Sequence, residues 1–233
     1  MNNGKLYLIP VPIHSEEEFN IKHIPPYLTE IINKISVFAV ENIRTSRRFL
    51  RKINPKFNID DTNFEIIDKR TSESDYSKII NYIKKGIDVG VMSESGCPGV
   101  ADPGQNLCRL AHENNILIKP LIGPSSILLA LMASGLNGQK FIFHGYLPIE
   151  KEKRIKEIKK LSKISGSHIF IETPYRNQKV FDDIIHNLKQ DDKKLSVASD
   201  ITGKNEKIFT EKISDLKKKK IMLEKFPTIF IFG

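Results

Sequence analysis

Cysteine is scarce in this 233-residue chain. Cys97 and Cys108 are the only two, eleven positions apart, with no CxxC and no histidine pair beside them. That spacing indicates neither a disulfide framework nor a zinc site, and it implies reduced thiols in a cytoplasmic protein. Long apolar runs are missing too. No stretch approaches the roughly 20 residues that a membrane span needs. The N-terminus, MNNGKLYLIPVPI, has one lysine before a short apolar run that breaks at prolines, which makes a poor signal peptide. The dinucleotide fingerprint GxGxxG is absent from the whole chain, which disfavours a standard nicotinamide or flavin fold. Arginine is sparse, with eight among 37 basic residues.

The apolar content is nevertheless enough for a real core. The net charge of +9 suggests a polyanionic partner, although 29 of the basic residues are lysine in a chain also rich in Ile and Asn, a pattern that compositional bias alone produces. The arginines are more informative. Arg44, Arg47, Arg48 and Arg51 are spaced for one helix face, and no acidic residue lies between Glu41 and Asp60. Two readings stay open for that face: a solvated helix side, or an edge that binds phosphates.

Apolar runs of strand length recur at 6–11, 35–40, 64–67, 87–92 and 116–122, with helical patterns between several of them, such as Ser77 to Lys85 and Gln105 to Asn114. Strand alternating with helix predicts a parallel sheet covered on both faces. After GPSS at 123–126 comes a small apolar helix that Gly135 closes as a C-cap. Later strands at 141–146, 167–172, 195–199, 207–210 and 228–232 alternate with turns and only two long helical patterns, which predicts a mixed sheet. The expected α/β domains are 1–122 and 123–233. The lysine run at 151–160 reads as a mobile connector or helix start, and that at 217–220 as a solvated helix end.

Four strands run into loops dense in Gly, Pro, Ser and Thr: IPVPIHS, MSESGCPGVADPG, LIGPSS and IETPYR. In open α/β sheets ligands sit beyond the carboxyl ends of the strands, and glycine lets backbone approach a ligand closely. The second loop carries Glu94 and Asp102 and no basic residue, whereas a phosphate-binding loop leads with glycine amides and a lysine. Its ligand is therefore neutral or cationic. Ser125 and Ser126 suit ribose hydroxyls or a helix cap.

The ordered set LYLIPVPI, ENIRTSRRFL, GVMSESGCPGVADPG, IKPLIGPSSILLALMASGL, FIFHGYLP, HIFIETPYR and PTIFIF resembles the tetrapyrrole methylase superfamily of S-adenosylmethionine-dependent methyltransferases. Within it, the pattern is most similar to the branch that methylates a ribose 2′-hydroxyl in small-subunit (16S) ribosomal RNA. The resemblance implies two α/β domains with the cofactor in the inter-domain cleft, a homodimer, and S-adenosylmethionine as the methyl donor. Its cofactor positions map onto Pro12 in the first loop and onto Ser93, Glu94, Ser95, Gly96, Val100, Ala101 and Asp102 in the second. Ser125 and Ser126 follow, then Tyr146 and Leu147, Thr173 and Pro174, and Pro227 and Thr228. The sulfonium cofactor would be the ligand without negative charge that the second loop calls for.

Departures are also visible. The branch's PTPIGNLxD reads Pro10, Val11, Pro12, Ile13, His14, Ser15, without the glycine. Its EDTRHT reads Glu41, Asn42, Ile43, Arg44, Thr45, Ser46, without the aspartate, and His144 stands where a carboxylate is usual. The chain ends at Gly233, the short form without the helical extension of longer members. Methyl transfer requires the acceptor oxygen in line with the methyl group and a base or nearby cation to help remove its proton. Glu41, Arg44, Glu172 and Arg176 are the candidates, with salt bridging or helix capping as the alternative role for each. Arg47, Arg48 and Arg51 are the candidate RNA contacts. The expected partner is ribosomal RNA or the small subunit, with no membrane and no metal. The alternatives are methylation of a tetrapyrrole-like small molecule or a protein, or cofactor binding without catalysis.

Overall fold

The computed structural model describes residues 3–13, 21–188 and 192–233, so His14 and Ser15 of the N-terminal motif lie outside the described residues. The chain divides into two compact units, Met1–Ser125 and Ser126–Gly233.

The first unit alternates β1 (Lys5–Leu8), α1 (Tyr27–Ile32), β2 (Val37–Val40), α2 (Ile43–Ile53), β3 (Asn63–Ile66), α3 (Glu73–Lys84), β4 (Val89–Met92), α4 (Gln105–Glu113) and β5 (Leu117–Pro120). Its strands pair in parallel in the order β3-β2-β4-β1-β5. The central strands VFAV and VGVM are buried at every position, as a sheet with helices on both sides requires. Phe38 and Val40 pack with residues of α1 and α2, whereas Val37 and Ala39 pack with residues of α3 and α4. At Gly90 a Cβ would lie 2.6 Å from the Ile9 side chain and 2.9 Å from the Phe38 ring, so only glycine fits. β1 and β5 are shorter than their apolar runs. Beyond Leu8 and Pro120 the ladder continues for one bond each, Ile9 N–H to Val91 O at 2.9 Å and Leu121 N–H to Leu8 O at 3.0 Å. In the first of these runs, Pro10 and Pro12 then have no N–H to extend the pairing.

The second unit contains α5 (Ser126–Ser134), β6 (Phe141–Phe143), α6 (Lys151–Leu161), β7 (Ser167–Glu172), α7 (Asn177–Asn187), β8 (Lys194–Ser199), β9 (Lys207–Lys212), α8 (Ile213–Leu216) and β10 (Thr228–Phe232). The sheet order is β6-β7-β10-β8-β9. Only β6 and β7 are parallel, so this sheet is mixed. Along β10 the pleat sends Phe230 and Phe232 to the α6 and α7 side and Ile229 and Ile231 to the α5 side. Gly135, at φ 64°, ends α5. His144 is a packed residue here. Its Nε2 lies 2.9 Å from His168 Nδ1, its ring stacks on Phe170, and His168 Nε2 donates to Ile164 O at 3.0 Å. Burial, and then His168, push the His144 pKa down.

The lysine-rich segment 151–160 is a helix, not a connector, because Arg154, Ile158 and Leu161 recur on one side and are buried. Arg154 is almost fully buried. Its Nε donates to Asp183 Oδ2 at 2.7 Å, and its Nη1 donates to the carbonyls of Pro148 (3.1 Å) and Ile149 (2.7 Å). Breaking a buried pair leaves an uncompensated charge. Asp183→Ala should therefore lower stability by about 3–5 kcal/mol in urea unfolding, and replacing both partners by apolar residues should restore much of the loss.

Candidate active site

In the first unit β2 and β4 are neighbours, yet the chain leaves β2 towards β3 and leaves β4 towards β5, which lie on opposite sides of the pair. Such a reversal opens a crevice at the carboxyl ends of the strands. Three loops meet there. Val11 N–H donates to Gly96 O at 2.9 Å and Gly96 N–H to Pro12 O at 3.4 Å, which stitches the β1 and β4 loops together. Ser95 Oγ donates to Ile13 O at 3.0 Å, and Cys97 Sγ to Pro124 O at 3.4 Å, which brings in the β5 loop. Glycine is needed for two different reasons. A Cβ on Gly123 would overlap the Pro10 ring, a true close approach. Gly96 has no such contact, its nearest neighbour being Pro124 O at 3.7 Å; it is required because φ is +68°. Ala101, at φ 65°, holds the same left-handed conformation without being glycine.

Glu41, Glu94 and Asp102 gather around this crevice. Glu94 N–H donates to Glu41 Oε2 at 3.3 Å, and the Thr45 hydroxyl hydrogen-bonds the Glu94 carboxylate. Desolvation raises the Glu41 pKa, with Glu94 adding to it and the Glu94 N–H opposing it. Asp102 is pushed up to about 6, first by desolvation and then by Glu41, while the Ser93 hydroxyl pulls it down. These carboxylates are not at ligand spacing, since among the described residues no group of three or more His, Cys, Asp or Glu is placed to hold a metal ion. Thr45, which the sequence reading passed over, is the hydroxyl that reaches Glu94.

Asn42 caps α2, accepting from Arg44 N–H at 2.9 Å and Thr45 N–H at 3.4 Å, so this position keeps its capping role without the aspartate. Arg44, Arg47, Arg48 and Arg51 are all exposed, opposite the buried Ser46, Phe49, Leu50 and Ile53. Arg47 lies over the Phe64 ring, 5.2 Å from its centroid. Val100 and Ala101 are exposed and Pro12, Ser125 and Ser126 half-buried at the loop edges.

The second unit presents a different picture. Glu172 is buried, with Arg176 Nη2 at 3.1 Å from Oε2 and Thr173 N–H donating to Oε1 at 2.8 Å. The same Arg176 nitrogen donates to the carbonyls of Leu147 (3.0 Å) and Pro148 (3.2 Å). Glu172 and Arg176 therefore pin the loop after β6 to the end of β7. The Leu147 side chain is part of the core. Thr228 is buried, donating to Phe226 O at 2.9 Å and meeting Ser199 Oγ at 2.7 Å. Thr173, Tyr146 and Pro227 are exposed and Pro174 half-buried on the loops around them.

An acid with a raised folded pKa binds more protons folded than unfolded, so stability falls as pH rises from its ordinary value through the raised one. For Asp102 that window runs from 3.8 to about 6. Asp102→Asn should stabilise the ligand-free protein at neutral pH by on the order of 1 kcal/mol after solvent screening, seen as a higher melting temperature. Thermal melts should show the gain vanish as the pH falls to about 4.

Residues 5–217 match the family described as Tetrapyrrole (Corrin/Porphyrin) Methylases. The chain is 32% identical over 209 residues to the ribosomal RNA small subunit methyltransferase I of Buchnera aphidicola subsp. Schizaphis graminum, covering 90% of this chain and 70% of that protein. It is 28% identical to the protein of the same name from Thermotoga maritima, covering 91% and 90%. Among solved structures, uroporphyrin-III C-methyltransferase from Thermus thermophilus, complexed with S-adenosyl homocysteine, superposes with a TM-score of 0.56 at 12% identity over 99% of this chain and 97% of that one, a likeness of fold. On the family match, which runs from β1 through α8, the chain belongs to the tetrapyrrole (corrin/porphyrin) methylase family.

Proposed function

We propose that this protein is an S-adenosylmethionine-dependent methyltransferase that acts on a ribose 2′-hydroxyl of small-subunit (16S) ribosomal RNA. One observation carries the reading: the loop after β4, stitched to the loops after β1 and β5, bears carboxylates and no basic residue at the crevice of a parallel sheet. That donor set fits a sulfonium cation. Relatives named as small-subunit ribosomal RNA methyltransferases support the substrate.

When bound, the cofactor supplies an electrophilic methyl group. Pro12, Ser93 to Gly96, Val100 to Asp102 and Ser125 form the cofactor seat of the first unit, and Ser126 follows as the first residue of the second. In the second unit Tyr146, Thr173, Pro174 and Pro227 contribute through their exposed or half-buried positions, whereas Leu147 and Thr228 contribute through backbone because their side chains are engaged elsewhere. Moving that methyl from sulfur to the ribose oxygen would leave the hydroxyl proton for a base of this chain to take. Glu41, whose raised pKa brings it closer to working pH, takes that proton, with Arg44 on the adjoining first turn of α2. Glu172 and Arg176 act by fixing loop geometry. The enzyme works in the cytoplasm as a homodimer. Among the described residues no helix is long and apolar enough to cross a membrane, and light scattering on the purified protein checks the dimer.

The direct test supplies methyl-labelled S-adenosylmethionine and undermethylated small subunits. Label should appear in ribose of the 16S RNA; label in none of the subunit's RNA would sink the substrate assignment. The exposed arginines of α2 should set affinity for RNA. Changing Arg47, Arg48 and Arg51 together to Gln should weaken binding and flatten its salt dependence by about one unit of slope per lost phosphate contact, with cofactor affinity intact. Parallel salt curves of equal affinity would show the stripe to be a solvated face.

A further inference from the structure

Tyr175 is out of keeping with its surroundings. Its side chain belongs to the turn after β7 and is 83% exposed, yet the backbone that presents it is held from three directions. Arg176 ties the turn to the carbonyls of Leu147 and Pro148 and to Glu172. Arg176 N–H donates to Thr173 O at 3.0 Å, closing the turn itself. The neighbouring Asn177, 1% exposed, donates from Nδ2 to Phe226 O at 2.5 Å, and Gln178 binds the N–H of Leu223 (2.8 Å) and the carbonyl of Ile221 (3.2 Å). Those bonds fix the segment that carries Lys225, whose ammonium stands 6.0 Å from the centre of the Tyr175 ring. Ile149, 82% exposed, sits on the loop that Arg154 and Arg176 clamp.

A large aromatic ring left in water loses the free energy that burial would supply. Holding it there on a rigid turn, with the Lys225 ammonium over one face, leaves the surface that a nucleotide fits: the opposite π-face for a base and an ammonium for its phosphate. An RNA reader of this kind takes bases that are unstacked from their helix. A ribose presented for methylation is most accessible when its nucleotide, or the next one, is splayed out.

We infer that Tyr175 and Lys225 form a nucleotide platform on which one unstacked base of the RNA substrate stacks during methyl transfer. The inference rests on the ribosomal RNA reading for the identity of the RNA. Tyr175 is a positioning residue, acting on the substrate strand and not on the reacting atoms.

The ring, not the hydroxyl, is what the platform uses. With small subunits as substrate, Tyr175→Ala should raise KM about 5- to 150-fold, the range expected for one lost base–aromatic stack. Tyr175→Phe should stay within about two-fold of the native value. Lys225→Gln should raise KM less and lower the salt slope by about one. Isothermal titration should give native S-adenosylmethionine affinity for all three. Equal KM values for the Ala and Phe variants, whether native or raised, would overturn the platform. A second arm does not depend on methyl transfer. The chain has no tryptophan, so Tyr175→Trp creates a lone reporter whose fluorescence a stacked base quenches. Quenching by a mixed-sequence single-stranded oligoribonucleotide, weakened in a Tyr175→Trp, Lys225→Gln double variant, supports the platform, and its absence counts against it. If the native enzyme labels no RNA, the substrate reading fails, and the quenching result alone decides whether Tyr175 stacks bases.

Discussion

A parallel sheet that is buried on both faces has only its strand ends to offer a ligand, and that constraint organises the first unit. β2 and β4 have no exposed residue, so every group with chemistry has to stand on a loop beyond the carboxyl ends. Loops in such positions are mobile unless tied together. Here the ties are backbone bonds between Val11, Pro12 and Gly96, together with Ser95 and Cys97 reaching carbonyls of the adjoining loops. Left-handed turns at Gly96, Gly99 and Gly104 give the β4 loop the folds that those bonds need.

The electrostatics follow from the same placement. Partial desolvation raises the pKa values of Glu41 and Asp102, and a neighbouring carboxylate adds to each, Glu94 for Glu41 and Glu41 for Asp102, a cost the folded protein carries. A cation arriving at the edge would offset the like-charge part of that cost, which is why a sulfonium suits this loop better than an anion would. The second unit solves a different problem with charge. Arg154 and Arg176 both donate to Pro148 O, so the loop after β6 is held by its carbonyls as well as by the buried Leu147 side chain.

Much of the architecture was legible because periodicity is local. The strands at 167–172 and 228–232 have the bounds their apolar runs imply, and the change from parallel to mixed pairing follows from the loss of intervening helices. Other features depend on partners far along the chain. Residues 151–160 read as either a connector or a helix start since eight charges in ten positions conceal the inward row, and only Asp183, 29 residues on, explains how Arg154 can be buried. The charge pair in IETPYR reads equally as catalytic or as a salt bridge, and the Leu147 and Pro148 carbonyls that Arg176 also holds lie too far along the chain to be read from the motif. Gly96 and Gly123 look alike in sequence, yet one answers a dihedral angle and the other a proline ring.

The edges of the two sheets have a consequence for how the chain behaves in crowded solution. Among the described residues each sheet ends in strands paired on one side only, and such edges template aggregation when they are long and apolar. β5 ends in Lys119 and Pro120, β3 carries Glu65, and β9 runs from Lys207 to Lys212. β6 exposes Phe141 and Ile142, but it is only three residues long and gives way at Gly145, φ 68°. Each border is thus charged, interrupted by proline or cut short, and a protein so rich in Ile and Phe keeps its sheets from joining those of its neighbours.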